Sequence, residues 1–262
     1  MNPLELIGRY IYDPFFFHPF INLLVAFTKL FLIVKIPWAF GFAIVALTAL
    51  IRLILHPFFD KQIQTSKKMH DLKPHLDVLS QKHKKDPKKL QAEQMRLYKE
   101  AGINPASGCL FVIIQMPIFI ALYQTLSLFL TTGNIEKINK VLYFPFLKIQ
   151  ALDPSFFVFN LGVTPAQSGP WYYYLVPLIT AVLQYYQTVV TMPAPAKVEN
   201  KEGEKKVENK GGDFQQAMQT QMKYIFPLMI GWFSYTLPVG LSLYWNIFSI
   251  FSIIQYKRVY KK

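Results

Sequence analysis

The chain has 262 residues, 52% of them hydrophobic and 16% aromatic, and its mean hydropathy is positive. That composition excludes an ordinary soluble domain and points to an all-α protein that crosses a membrane several times. The net charge of +13 is gathered in a few segments, so its distribution carries more than its total, and a single cysteine, Cys109, excludes an intrachain disulfide framework.

Residues 1–35 are aromatic and mildly amphipathic, interrupted by Pro14, Pro19, Lys29 and Lys35. They contain no basic stretch followed by a short apolar core and a small-residue cleavage site, and no lipobox cysteine. They are expected to act as uncleaved membrane-associated sequence or to follow a leader. Pro19 to Val34 reads as an interfacial helix lying on the outer membrane surface. A longer tilted helix merging it with the next segment is the alternative.

Ile36 to Phe59 is the first expected span, and Arg52 is its only charged residue. About 20 apolar residues suffice to cross a bilayer. A cation inside such a segment costs roughly 2.5–3.5 kcal/mol on insertion scales, so it usually faces a bundle interior or a water-filled cavity. Arg52 also lies one to two turns from the polar segment that starts at Asp60. A snorkelling side chain is therefore the competing reading.

Residues 60–102 change character. Eleven Lys/Arg and six Asp/Glu alternate with apolar residues at helical spacing. Asp86-Pro87 divides the segment, with aspartate suited to an N-cap, proline to the first turn, and Gly102 to the position after the second helix. This predicts a cytoplasmic helical hairpin. Its seam, Leu72, Leu76 and Leu79 against Leu90, Met95, Leu97 and Tyr98, is thin. The lysines read mainly as a solvated face.

The second expected span is 108–130, inside an uncharged run from Ile103 to Ile135; Cys109 reads there as a small buried residue. Residues 131–170, rich in proline and phenylalanine, form an extracytoplasmic connection at the membrane surface. Span three is 171–192, opened by the interfacial cluster Trp171–Tyr174. Residues 193–221 hold the charged low-complexity stretch KVENKEGEKKVENKGG and are expected to be a disordered cytoplasmic loop. The last uncharged run, Tyr224 to Tyr256, is too long for one span and has Pro238 and Gly240 at its middle. It divides into spans 222–237 and 241–256, each about 24 Å long and thus short enough to favour bilayer thinning. Residues 257–262 form a cytoplasmic tail. With five spans, one side of the membrane receives 21 Lys/Arg and the other 6. The positive-inside rule then puts the N-terminus outside and the C-terminus in the cytoplasm.

Polar residues inside the spans fall on stripes. Thr48 precedes Arg52 by four. Thr180, Gln184 and Gln187 follow helical spacing in the third span, as do Ser242, Asn246 and Ser249 in the last; Gln115 and Gln124 lie in the second. Unpaired amides are costly in lipid, so a shared polar interior is expected, with ordinary interhelical hydrogen bonding as the plainer reading. His56, four after Arg52, reads as an interfacial histidine. Enzyme chemistry finds no support. No HExxH pair or Gly-x-Ser-x-Gly elbow occurs, and every Asp and Glu lies outside the expected spans.

The segments NPASGCLFVIIQMPIFIALY (Asn104–Tyr123) and MKYIFPLMIGWFSYTLPVGLSLYW (Met222–Trp245) resemble the second and the last two core spans of the YidC/Oxa/Alb membrane protein insertases. ALIRLILHPF (Ala49–Phe58) is similar to their first core span, with its arginine at Arg52. The chain looks like a short bacterial member, differing at Asn246–Ile250, NIFSI, where a Ser-Asn pair is common. The resemblance implies a five-helix core around a hydrophilic groove open to cytoplasm and lipid and closed outside. It places its arginine at Arg52, and Thr48, Gln115, Thr180, Gln184, Gln187, Trp245, Asn246 and Ser249 are the further residues expected to line the groove. It implies a hairpin that helps recruit substrates, and a monomer of the bacterial inner membrane that is not an enzyme and needs no cofactor. Its implied partners are nascent membrane proteins, the ribosome with signal-recognition targeting machinery, the Sec translocon and the lipid bilayer. The alternatives from other classes are a small-solute transporter or channel with Arg52 as anion site, and an assembly chaperone without insertion activity.

Overall fold

In chain order, a π-helical stretch, Gly8–Phe17, leads into helix α1 (His18–Ile33), followed by α2 (Ala39–Ile54), α3 (His56–Lys82), α4 (Pro87–Glu100), α5 (Ser107–Leu130) and the short α6 (Ile135–Lys140). A two-stranded antiparallel hairpin, β1 (Ser155–Phe156) and β2 (Phe159–Asn160), comes next, pairing Ser155 with Asn160 and Phe156 with Phe159. Helices α7 (Leu175–Thr191), α8 (Lys210–Thr236) and α9 (Val239–Tyr260) complete the chain. This computed structural model describes residues 8–83, 86–103, 107–130, 134–191 and 210–260. Residues 193–209 of the expected loop lie outside them, as do the side chains of Cys109 and Gln115.

Among the described residues two helices, Tyr12–Ile33 and Val239–Val259, are long and apolar enough to cross a membrane. A third qualifies if α2 and the start of α3 count as one bent span. The N-terminal segment is therefore more regular than its prolines suggest, continuing helically back to Gly8. It packs along α2, burying Ile21, Leu24 and Val25. The short connection between them is tight, with Lys35 and Trp38 both in the left-handed region, at φ 56° and 55°.

Three expected boundaries move. The first span ends at Leu55 rather than Phe59, because Pro57, which has no N–H to give to a continuing helix, sits in the first turn of α3. There the axis bends by 66°. Residues 210–221, expected to be disordered, are helical and form the start of α8. Helix α9 runs past the expected end at Tyr256 to Tyr260, and its 21-residue apolar part spans about 31 Å at 1.5 Å per residue, close to the ~30 Å hydrocarbon core. The shortness inferred for the last span does not hold.

The Asp86 reading does hold. Its side chain accepts the Lys89 N–H at 3.1 Å, Pro87 opens α4, and Gly102 takes φ +64° beyond its end. Gly102 N–H reaches Lys99 O at 3.0 Å and Ile103 N–H reaches Tyr98 O at 2.8 Å, the paired bonds of a Schellman cap. Leu90, Tyr98 and Ile103 are buried while Met95 is exposed, so part of the expected seam is packed and part faces out. Ser66 Oγ donates to Thr191 O at 2.9 Å, tying α3 to the end of α7.

The connection over 134–170 is ordered. Asn139 clamps Ile149 through its N–H and C=O, and Asn22 of α1 accepts from Tyr143 N at 2.7 Å and donates to Val141 O at 3.0 Å. The β hairpin presses Phe156 onto α2 at Gly41, where a Cβ would stand 1.9 Å from the ring. Proline 238 separates α8 from α9, as expected. That turn is pinned to the connection by Val239 N to Val163 O (3.1 Å) and Gly240 N to Leu161 O (2.9 Å). The core gathers Ile21 and Leu24 of α1, Phe40, Ile44 and Leu47 of α2, Leu122 and Leu126 of α5, and Leu241 and Tyr244 of α9.

Candidate functional site

Arg52 belongs to a buried stripe on α2, Ile44, Thr48 and Arg52, each four residues apart. The spacing carries its side chain inward, where it is only 5% exposed, so it does not snorkel. The guanidinium meets one face of α9. Nη2 donates to Phe248 O at 2.9 Å and to Ser252 Oγ, and Nη1 reaches Gln255 Oε1 at 3.5 Å. The group is sandwiched between the rings of Phe59 and Phe248, 4.2 and 3.8 Å from their centroids. Aromatic faces and a carbonyl offset part of the cost of desolvating a cation. Nε is buried with no hydrogen-bond partner. Gln255 extends the set outward, because its Nε2 donates to Asp60 Oδ1 at 2.8 Å and Asp60 Oδ2 lies 3.2 Å from His56 Nδ1. One amide thus links the buried cation to a carboxylate at the α2–α3 bend. A cavity of about 370 Å³ opens beside Gln255 and Asp60.

The second feature is the inverted polarity of α7. Its buried residues, Val176, Thr180, Gln184 and Thr188, recur every four positions, and three of the four are polar. Its exposed residues include Leu178, Ile179, Val182 and Val189. Helix α8 follows suit, with Ser234 1% exposed while Leu228 and Trp232 are 70% and 63% exposed. A helix that turns hydroxyls and an amide inward and aliphatic residues outward is built for lipid. Gly231 lets α7 and α8 approach closely, as a Cβ there would come 2.9 Å from that of Ala181. Across this contact Ser234 Oγ lies 3.2 Å from Thr180 Oγ1 and 2.7 Å from Ser242 Oγ.

The expected groove residues distribute as follows. Thr180 and Gln184 face inward on α7, and Ser249 is buried on α9. Gln187 Oε1 and Asn246 Oδ1 are buried with no hydrogen-bond partner, as is Thr125 Oγ1 on α5. Thr48 is buried but spends its hydroxyl on Ile44 O at 2.7 Å, and Thr180 likewise bonds Val176 O at 2.9 Å. Such back-bonds satisfy a hydroxyl within its own helix. Trp245 packs on Phe119, ring centroids 4.9 Å apart. Gln124 accepts from Tyr12 Oη at 2.9 Å. The side chain of Gln115 is outside the described residues. The partners that hold Arg52, namely Phe248 O, Ser252 and Gln255, were not expected, nor was Ser234. Ser252 and Gln255 lie on a face of α9 beside the expected Ser242, Asn246 and Ser249 stripe, and the Phe248 carbonyl leaves no mark in a sequence. Among the described residues no group of three or more His, Cys, Asp and Glu could hold a metal ion.

Comparison with known proteins supplies the remaining finding. The family model described as "60Kd inner membrane protein" matches residues 31–262. "Membrane protein insertase YidC 2" of Bacillus anthracis is 32% identical over 97% of this chain and 83% of its own length. "Membrane protein insertase MisCA" of Bacillus subtilis is 28% identical over 97% and 81%. "Inner membrane ALBINO3-like protein 2, chloroplastic" of Chlamydomonas reinhardtii is 34% identical over 84% of this chain, which spans half the length of that relative.

Proposed function

This chain belongs to the 60Kd inner membrane protein family, and from that premise we propose that it is a membrane protein insertase, moving nascent transmembrane segments from the cytoplasm into the bilayer through a hydrophilic intramembrane groove that contains Arg52. The observation that carries the reading is the inverted α7, whose buried face bears Thr180, Gln184 and Thr188 and which packs against α9, the helix that also holds the buried Arg52. Buried atoms of Arg52, Thr125, Gln187 and Asn246, on four different helices, keep unused hydrogen-bonding capacity in that interior. They can serve a polar segment at a depth where lipid offers nothing.

In this reading five spans place the N-terminus outside and the C-terminus in the cytoplasm of a bacterial cell, as the 21 to 6 division of basic residues supports. The α3–α4 hairpin receives the substrate, delivered by the ribosome and targeting machinery, with or without a Sec translocon. An acidic residue in the translocated tail is drawn to Arg52 and exchanges with the Ser252 hydroxyl. The apolar segment then passes sideways into lipid, driven by burial of its surface. The membrane potential adds about 2.3 kcal/mol per charge per 100 mV. No covalent chemistry is required.

Purified protein in proteoliposomes tests the proposal. Protease-protected insertion of a freshly synthesised single-span substrate is expected, with no flux of small anions. Flux without insertion would replace the insertase with a transporter, and improved folding yield without insertion would replace it with a chaperone.

A further inference from the structure

The cavity of about 370 Å³ beside Asp60 has a use that the groove does not absorb. It lies between the first turns of α3, His56 to Lys67, and the end of α9, at Gln255, Arg258 and Val259. Both walls turn from apolar to charged at this level. Helix α9 carries Lys257 and Arg258 in its last turn, and α3 leaves α2 at 66°, the attitude of a helix that turns from the membrane normal toward the surface plane. Tyrosines mark the same level, with Lys257 Nζ donating to Tyr186 Oη at 3.0 Å and Lys223 placed 5.2 Å above the ring of Tyr224. Tyrosine and lysine at a helix end are the usual residues of a membrane–water interface.

The lining is basic with one acid. Lys67 and Arg258 share this lining with Asp60, whose oxygens meet Gln255 Nε2 and His56 Nδ1. Arg258 is exposed and presents a planar fork suited to a phosphate. Two cations at the level where a span ends suit the phosphodiester of a lipid headgroup, whose acyl chains would stay outside the cleft. Anionic lipids are attracted to basic residues just beyond a span by about 1 kcal/mol each.

We infer that the cleft between α3 and the end of α9 is a binding site for the headgroup of an anionic phospholipid of the cytoplasmic leaflet, held through its phosphate by Arg258 and Lys67. This rests on the topology proposed above but not on insertion activity, because lipid binding is read without any substrate.

The test is native mass spectrometry of the full chain released from nanodiscs of phosphatidylglycerol, phosphatidylcholine or their mixture. Phosphatidylglycerol retention is expected to exceed phosphatidylcholine at least fivefold. Arg258→Gln with Lys67→Gln is expected to abolish that preference, and Val259→Trp, which fills the cleft without altering charge, is expected to reduce it equally. Lys88→Gln with Lys89→Gln on α4 removes the same charge elsewhere and should leave it intact. Equal retention of both lipids would overturn the site. So would equal loss in the α4 variant, which would mean diffuse attraction only. Thermal stabilisation by inorganic phosphate matching that by phosphatidylglycerol would assign the site to free phosphate. Displacement of the lipid by an acidic peptide at micromolar concentration would assign it to the substrate tail.

Discussion

Arg52 can be tested by separating its charge from its shape. Arg52→Ala removes both, while Arg52→Lys keeps the charge and loses the fork. At 4 Å and an effective dielectric constant near 20, a carboxylate gains about 4 kcal/mol from such a cation. Gln255 ties Asp60 to Arg52, and water in the proposed groove would screen the charge further, so about half of that is the working value. Two kcal/mol is a factor of about 30. The expectation is that Arg52→Ala lowers insertion of a substrate with an acidic translocated tail about 30-fold and of its neutral-tail twin less than threefold. Stability should fall, but by less than the lost bonds alone would give. The alanine variant forfeits the bonds to Phe248 O and Ser252, about 1.5–3 kcal/mol each for a charged donor, but escapes roughly 2.5–3.5 kcal/mol of insertion cost. The net loss is about 0–3 kcal/mol. Arg52→Lys should keep the preference for acidic tails while losing about one such bond, because an ammonium cannot span both acceptors from between two rings. Insertion of paired substrates into proteoliposomes, with thermal unfolding of each variant in detergent, measures both quantities. An acidic-to-neutral ratio unchanged by Arg52→Ala would refute the electrostatic reasoning.

Other expectations are direct. In a Cys109→Ser background, single cysteines at Gln81 and Lys261 should react with an impermeant thiol reagent only from the cytoplasm and one at Lys137 only from outside; labelling of Lys261 from outside would end the five-span topology. Gly231→Leu should separate α7 from α8 and lower the detergent melting temperature by the equivalent of about 1–3 kcal/mol, whereas Gly231→Ala, which gains helix propensity while crowding Ala181, should change it by less than about 1 kcal/mol. Hydrogen bonds from the Ser155 hydroxyl and N–H hold the Asp153 carboxyl below its ordinary value, against a smaller opposing effect of burial. A depressed carboxyl stabilises the folded form above its unfolded value of about 3.9 and loses that contribution as pH falls through the folded one. Protection of the Ser155 amide, after division by its intrinsic exchange rate, should therefore fall below about pH 4, and Asp153→Asn should remove that acid-dependent step.

Legibility in the sequence followed the strength of local signals. Asp86-Pro87, Gly102 and Pro238 act through their own backbones, so their roles could be read without tertiary structure. The inward stripe Thr180 and Gln184 was legible because α7 is regular, but its next member is Thr188 rather than Gln187, a choice made by the neighbouring helices. For Arg52 the sequence leaves a polar interior and a snorkelling side chain both open, and it hides the partners, because Ser252 and Gln255 lie on a face of α9 beside the Ser242, Asn246 and Ser249 stripe rather than on it. The bend at Leu55 had a visible cause in Pro57, but its placement depended on weighing that proline against the apolar run that continues to Phe59. The β hairpin at 155–160 had no periodic signal at all. Its pairing is two residues long, and it exists because Phe156 docks where α2 has a glycine.

That docking has an electrical consequence. A bilayer that stores a voltage cannot tolerate a continuous wet path, since each ion that leaks discharges work the cell has done. In the proposed groove, Phe156 seated on Gly41, with Leu161 and Val163 bonded across the turn at Pro238, would set packed hydrocarbon fastened by backbone bonds at one end. Water admitted from the opposite end would then meet a dielectric plug rather than a second bath, and the membrane around a polar interior would remain an insulator.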